Sequence, residues 1–340
     1  MKLGTLHLKN NLILAPMQNV TTGPYRRFCR HFSDIGLVYV PMLYTKRIVK
    51  NPESIERELH KIEEESPIGI QLIGSEPIDF IEAIKYLESY KFNILDINAG
   101  CPSRRALKNN EGGYLVKDLK RLETILEVSL KYCSKPVSVK TRLGFEKRNK
   151  INELAALINN SDIEFVSVHA RTVKSRFDDT TLDLNALKDL KNLITIPLVG
   201  NGDINDPQFA KYFFEYTNVD ALMIGRESMG NPKIFSQISN YLTKGELNRF
   251  NNNLETMIYH LEIYEQIIDE YTEGLNLSVS LEDYKLVELQ RNAIWLTKNL
   301  KDSTYIRSEL SKTKTLIQLK TFLDNVKKKR FHAKPQYGKT

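Results

Sequence analysis

Cysteine is scarce and scattered in this chain: Cys29, Cys101 and Cys133 are the only three among 340 residues. An odd count, wide spacing and no CxxC pair exclude a disulfide framework and give no zinc-ligand pattern, so no metal is expected. Long apolar runs are missing too. No stretch approaches the roughly 18 uninterrupted apolar residues of a membrane helix, so no membrane span is expected. The opening MKLGTLHLKNNLILAPM has a short apolar run and no small-residue cleavage pattern. It does not read as a secretory signal, and a cytoplasmic location is expected. A GxGxxG fingerprint is absent, which argues against an open dinucleotide-binding sheet. Repeats and low-complexity linkers are absent as well.

What is present is an ordinary globular composition, 41% hydrophobic and 27% charged, at a length that suits one large domain plus a smaller one. The formal charge of +7 is unevenly placed: residues 285–340 hold 14 Lys/Arg against 4 Asp/Glu, leaving the first 284 residues at −3. Basic side chains gathered on one element suit a polyanion, because they release counterions from nucleic-acid phosphates. A solvated helical face with a basic tail is the plainer alternative.

Eight short apolar, β-rich runs recur: LILAP (12–16), GLVYV (36–40), IGIQL (68–72), NILDIN (93–98), PVSVKT (136–141), EFVSVH (164–169), TIPLVG (195–200) and VDALMIG (219–225). Between most of them lie stretches such as IDFIEAIKYLESY and LKRLETILEVSLKY, whose apolar residues fall three and four apart. Eight βα units in about 240 residues predict an α/β fold, a (β/α)8 TIM barrel over residues 1–242. From about 250 to 330 the periodicity is helical, which predicts a C-terminal all-helical domain with Trp295 as a core anchor, followed by a basic tail at 331–340.

Barrel enzymes work at the C-terminal ends of their strands. Those ends read Pro16-Met17-Gln18, Gln71, Asn98 followed by Gly100-Cys101-Pro102, Lys140 and Arg142, His169 and Arg171, Asn201-Gly202-Asp203, and Gly225-Arg226. Glycines after the seventh and eighth strands let backbone N–H groups approach an anion, with Arg226 as a fork donor, so a phosphorylated ligand is expected. Gln71 and Asn98 suit the mixed polar edge of a flavin, and Lys140 suits a ring that gains negative charge on reduction. FMN is the economical candidate. Cys29 and Cys133 lie in helix-like surroundings and read as buried structural thiols, whereas Cys101 follows a strand at a forced turn.

The segments LAPMQNVTTGPYR, GIQLIGS, DINAGCPSRRALKNNEGGYLVKD, VSVKTRLGF, VSVHARTVKSRF, LVGNGDI and ALMIGRESMGNPKIF resemble, in order and spacing, the tRNA-dihydrouridine synthase family. LQRNAIWLTKNLKDSTYIRSEL is similar to that family's helical domain, which helps bind tRNA. The resemblance implies FMN-dependent reduction of uridine to 5,6-dihydrouridine in tRNA. Electrons would come from NADPH or NADH, with hydride passing from flavin N5 to C6 of a flipped base. It makes Cys101 the proton donor to C5. Pro16, Met17, Gln18, Gln71, Lys140, His169, Asn201, Gly202, Asp203, Gly225 and Arg226 would hold the cofactor. Asn98, Arg104, Arg105, Arg142 and Arg171 would face the substrate. A thiol is mostly protonated at neutral pH and can supply what a flavin cannot, a proton on the opposite face. The chain departs from many relatives at Asn19 and Thr22, where they carry Gly and Asp, and at Ala170, where HGRT becomes HART. These positions bear on which uridine is chosen. A monomer that binds tRNA and no metal is expected. Two rivals remain at this level: an FMN barrel acting on a free pyrimidine, as in dihydroorotate dehydrogenase-like proteins, and an RNA-binding scaffold without catalysis.

Overall fold

The computed structural model describes residues 1–148, 150–248 and 252–331, the last four as backbone only. Tail residues 332–340 lie outside the described residues. Eight strands run parallel: β1 (Leu12–Leu14), β2 (Val38–Tyr39), β3 (Ile68–Ile73), β4 (Ile94–Ala99), β5 (Val137–Arg142), β6 (Val166–His169), β7 (Leu198–Asn201) and β8 (Ala221–Ile224). Consecutive strands are neighbours from β2 to β8, and β8 pairs with β1. An isolated bridge from Ile13 to Leu37, just ahead of β2, closes the ring. This is a (β/α)8 barrel. The second strand is interrupted at Pro41, which has no N–H to give a ladder, and pairing with β3 resumes at Leu43–Tyr44.

Every residue of β3 and β4 is buried, as expected where helices cover one face of a parallel sheet and the barrel interior the other. Several covering helices begin where the sequence marks them. Pro24, Pro77 and Pro207 sit in first turns, where a missing N–H costs nothing. Asp118, Asp183 and Asp206 accept a backbone N–H as N-caps. One end of the barrel is plugged. Leu3 and Leu8, at the edges of a short N-terminal hairpin, pack with Leu37, Ile94, Phe165, Val199 and Ala221, which stand within one residue of the starts of their strands. The opposite end, where the strands finish, carries the polar side chains.

The chain divides into two compact units, Met1–Ser228 with Lys233–Asn248, and Met229–Pro232 with the described residues of Arg249–Thr340. Helices Leu254–Thr272, Leu281–Leu296, Ser303–Lys312 and Leu316–Phe331 build the second. Its core includes Met257, Tyr264, Ile268, Tyr271, Leu289, Leu296 and Leu310. Trp295 is half-buried, with the Arg291 guanidinium 5.4 Å over its ring, so it covers the bundle instead of anchoring its centre. Among the described residues no helix is long and apolar enough to cross a membrane.

Candidate active site

Register decides which side chains meet. Gln71 on β3 pairs with Asp96 on β4, Asp96 with Ser138 on β5, Asn98 with Lys140, and Arg142 with His169 on β6. Asp96, fully buried, accepts the Ser138 hydroxyl at 2.6 Å and Gln71 Nε2 at 2.6 Å. Gln71 Oε1 accepts Asn98 Nδ2 at 2.9 Å. Asn98 Oδ1 in turn accepts the backbone N–H of Gly100 at 3.1 Å and of Cys101 at 2.9 Å. Burial pushes the Asp96 carboxyl up to about 6, against the hydrogen bonds of Ser138 and Gln71 and the charge of Lys140. Burial likewise brings the Lys140 ammonium down to about 8; Arg142 adds to the shift, and Asp96 and Cys101 oppose it. Lys140 Nζ donates to Asn201 Oδ1 at 3.3 Å, while Asn201 Nδ2 donates to the Met223 carbonyl at 2.7 Å.

The loop after β4 is built around Cys101. Its Sγ lies 3.4 Å from the Ser103 hydroxyl, which also caps the Arg104–Lys108 helix by accepting from the Ala106 N–H. The Gly113 N–H donates to the Cys101 carbonyl at 3.0 Å. Two glycines permit this approach. Gly112 holds φ +58°, and a Cβ there would stand 2.9 Å from Cys101 Cβ; one on Gly113 would stand 2.7 Å from Val173 and 2.8 Å from the Cys101 carbonyl oxygen. Arg104 and Arg105 are exposed, and the Arg105 guanidinium stacks 4.2 Å over the Tyr44 ring. Burial raises the Tyr44 phenol, the nearby Cys101 adds to the rise, and Arg105 opposes it.

Cations crowd the ends of β5 to β8. Arg142 donates to the carbonyls of Gly100 at 3.0 Å, Thr172 at 2.9 Å and Arg176 at 2.7 Å. Arg171, fully buried, donates to the Asp178 carbonyl at 2.8 Å, the Thr181 hydroxyl at 3.2 Å and the Asp203 carboxylate. The other Asp203 oxygen takes Arg226 at 2.7 Å. Burial alone would raise Asp203, but the two guanidiniums hold it below the usual carboxylate range. His169 sits among these charges. Burial first, then Arg142, Lys140, Arg171 and Arg226, push its pKa well below the ordinary value, so the imidazole is neutral at pH 7. Two buried polar atoms here, His169 Nδ1 and Arg171 Nη1, have no hydrogen-bond partner among the described residues. The Phe177 ring lies beneath Arg226 at 4.7 Å and Arg142 at 5.3 Å.

Strand β1 ends in a tight loop. The Met17 N–H donates to the Thr21 hydroxyl at 3.1 Å, and the Met17 carbonyl accepts from Val20 and Thr21. Asn19 adopts φ +57°, the left-handed region that Asn tolerates better than most residues. Pro16 and Met17 are half-buried and Gln18 is exposed. A Cβ on Gly225 would lie 3.6 Å from Met17 Sδ and from Ala15 Cβ, so the β8 end meets the β1 loop.

Hydrogen bonds and charge therefore join Gln71, Asn98, Cys101, Lys140, Arg142, His169, Arg171, Asn201, Asp203 and Arg226 around the strand ends. Gln18 and Arg104 stand in the open, outside that network. Sequence reasoning passed over Asp96, Ser138, Tyr44 and Phe177. For Asp96 a signal existed, because it stands two residues before Asn98 on one strand and so faces the same way. Cys133 corrects an expectation: it is half-buried, although burial does push its thiol up to about 12. Cys29 is fully buried, as expected.

A closed barrel whose strand ends gather a thiol, amides, a neutral imidazole and four cations is laid out as a barrel enzyme. The family model described as Dihydrouridine synthase (Dus) matches residues 13–332. A tRNA-dihydrouridine synthase B from Vibrio parahaemolyticus is 36% identical over 72% of this chain and 76% of its own. Its counterpart from Pasteurella multocida is 31% identical over 78% and 81%. A probable tRNA-dihydrouridine synthase from Rickettsia prowazekii is 29% identical over 94% and 95%. Among solved structures, a morphinone reductase superposes with TM-score 0.54 at 13% identity, over 74% of this chain and 91% of that one, a likeness of fold. The chain belongs to the dihydrouridine synthase family and is an oxidoreductase.

Proposed function

We propose that this enzyme reduces uridine in tRNA to 5,6-dihydrouridine with FMN and NADPH, NADH being the alternative donor. The observation that carries the reading is Cys101, seated by Asn98 on a glycine-backed loop in the same network as Lys140. The residues fit an anionic cofactor such as FMN: Arg171 Nη1 and His169 Nδ1 are buried hydrogen-bonding atoms with no partner among the described residues, in a strongly cationic setting. FMN, when bound, supplies the hydride for uracil C6. Gln71, Lys140 and Asn201 would meet its polar edge, with Pro16, Met17 and Gln18 beside it. Gly202, Gly225 and Arg226 would meet its phosphate. Asp203 serves this end as a clamp on Arg171 and Arg226, since a carboxylate would repel a phosphate directly.

Cys101 gives its proton to C5 from the face opposite the hydride. Lys140, still charged at neutral pH, offsets negative charge that builds on the ring system. Asn98 and the neutral His169 offer hydrogen bonds to cofactor or base, while Arg142 and Arg171 charge the cavity wall. Arg104 and Arg105 lie outward, suited to phosphates of an RNA from which the uridine has been flipped. Residues 250–330 form the proposed tRNA-binding helical domain, and we read the whole as a cytoplasmic monomer without metal. The test is to incubate the purified protein with FMN, NADPH and unmodified tRNA, digest to nucleosides and seek a gain of about 2 Da on uridine. A Cys101-dependent gain establishes the reading. NADPH oxidation without modified nucleoside moves the substrate to a small pyrimidine.

A further inference from the structure

The geometry points to Asp96 as a positioning residue whose carboxylate sets the direction of the hydrogen-bond chain that runs through Gln71 and Asn98 to the Cys101 loop. This inference rests on the functional reading for the roles of Cys101 and Gln71, but the chain itself is a property of the fold.

A buried carboxylate at a barrel centre is costly, and among the described residues its hydrogen-bond donors are two neutral side chains, Ser138 and Gln71. What it can do there follows from its chemistry. Each amide in the chain has a donating and an accepting end, and nothing in an amide's shape says which way it turns. An ionised carboxylate only accepts. Gln71 must therefore turn Nε2 toward Asp96 and Oε1 toward Asn98; Asn98 must turn Nδ2 toward Gln71 and leave Oδ1 for the N–H groups of Gly100 and Cys101. An acceptor at one end and two backbone donors at the other make a single consistent direction across β3, β4 and the catalytic loop. Reversing Gln71 would set its oxygen against the Asp96 carboxylate and its NH2 against Asn98 Nδ2, and reversing Asn98 would set its NH2 against the N–H groups of Gly100 and Cys101. Asp96 touches neither loop nor ligand and acts through its partners.

The test separates direction from charge. Asp96→Asn can turn its oxygen to Gln71 and its Nδ2 to Ser138, whose hydroxyl accepts as well as donates, so direction survives without the charge. Asp96→Leu keeps the volume and removes the acceptor. Two readouts need no turnover: the rate at which iodoacetamide labels Cys101, with the trace of Cys101→Ala subtracted, and the Kd for FMN from flavin fluorescence. In Asp96→Leu we expect labelling to quicken and FMN affinity to fall, each by about tenfold, because an aligned buried hydrogen bond has been lost. Asp96→Asn should stay within about threefold of wild type in both. A folded Asp96→Leu that matches wild type in both readouts overturns the proposal, as does an Asp96→Asn that loses tenfold. Should Asp96→Leu fail to fold, Asp96→Asn carries the test alone by the same criterion. Wild-type protein that binds no FMN would sink the functional reading, and the labelling rates would still decide the role of Asp96.

Discussion

Lys140 titrates at about 8 because burial strips water from its ammonium and Arg142 stands beside it. An unfolded lysine holds its proton to about 10.4. Between these values the folded chain has released a proton that the unfolded chain keeps, so this residue's contribution makes stability rise with pH across that window. Function should run the other way. If its charge supports the flavin, flavin reduction by NADPH falls as pH climbs through 8, and Lys140→Arg moves the fall upward; an unchanged profile in stopped-flow absorbance would remove Lys140 from that role. Cys101→Ala makes the complementary case. It should keep bound flavin and NADPH oxidation while product formation drops by about 10²–10⁴-fold, the usual range for a lost general acid. Equal loss of flavin in Cys101→Ala and Lys140→Ala would contradict the division of labour. Cys101 was legible as the odd thiol at a turn; Asp203 was read among the residues that would hold the cofactor, and its clamp on two arginines appears only once β6, β7 and β8 are side by side.

Elements hold these groups through contacts that spacing alone cannot reveal. The Gly112–Val116 turn must lie flat against Cys101, so Gly113→Ala should displace the loop. We expect a loss of about 1–3 kcal/mol in urea unfolding, typical of overpacking, with faster alkylation of Cys101. Wild-type stability would show that the turn yields without cost. The β1 loop has a second support. Arg26, on helix Gly23–Phe32, makes two hydrogen bonds to Glu65 at 2.6 and 2.8 Å, both side chains essentially buried, and a third to the Thr21 carbonyl. Thr21 in turn holds Met17. Glu65→Ala leaves a buried guanidinium without its carboxylate and should cost about 3–5 kcal/mol, whereas replacing both partners by apolar residues should cost far less. Denaturant midpoints of single and double variants distinguish the two. Strand positions were readable from apolar runs to within three residues, the largest shift being at the start of β7. The break at Pro41 and the Gln71–Asp96–Ser138 row were not, because a row exists only when register is known.

Over the whole molecule, charge shows most clearly how far local reading reaches. Residues 285–340 carry +10, yet residues 250–284 carry 8 Asp/Glu and no Lys or Arg, leaving +2 over 250–340 with histidine neutral. In the helical unit Lys320 meets Glu265 at 2.7 Å, Lys327 meets Glu262 at 3.6 Å and Lys285 meets Asp269. Part of the basic run is thus countered by the Leu254–Thr272 helix. Removing charge across Lys327–Arg330 should raise the KM for tRNA and flatten its salt dependence, with flavin reduction by NADPH unaffected. A KM that does not move would return these lysines to a solvated helix face. The sequence by itself determined the barrel, the helical C-terminal region and the chemical groups at the strand ends, because period, turn residues and composition are local properties of the chain. Tertiary structure alone decided which carboxylate clamps which arginine, why His169 is neutral and how Asp96 reaches Cys101. Those depend on register, burial and the summed field of residues far apart in sequence.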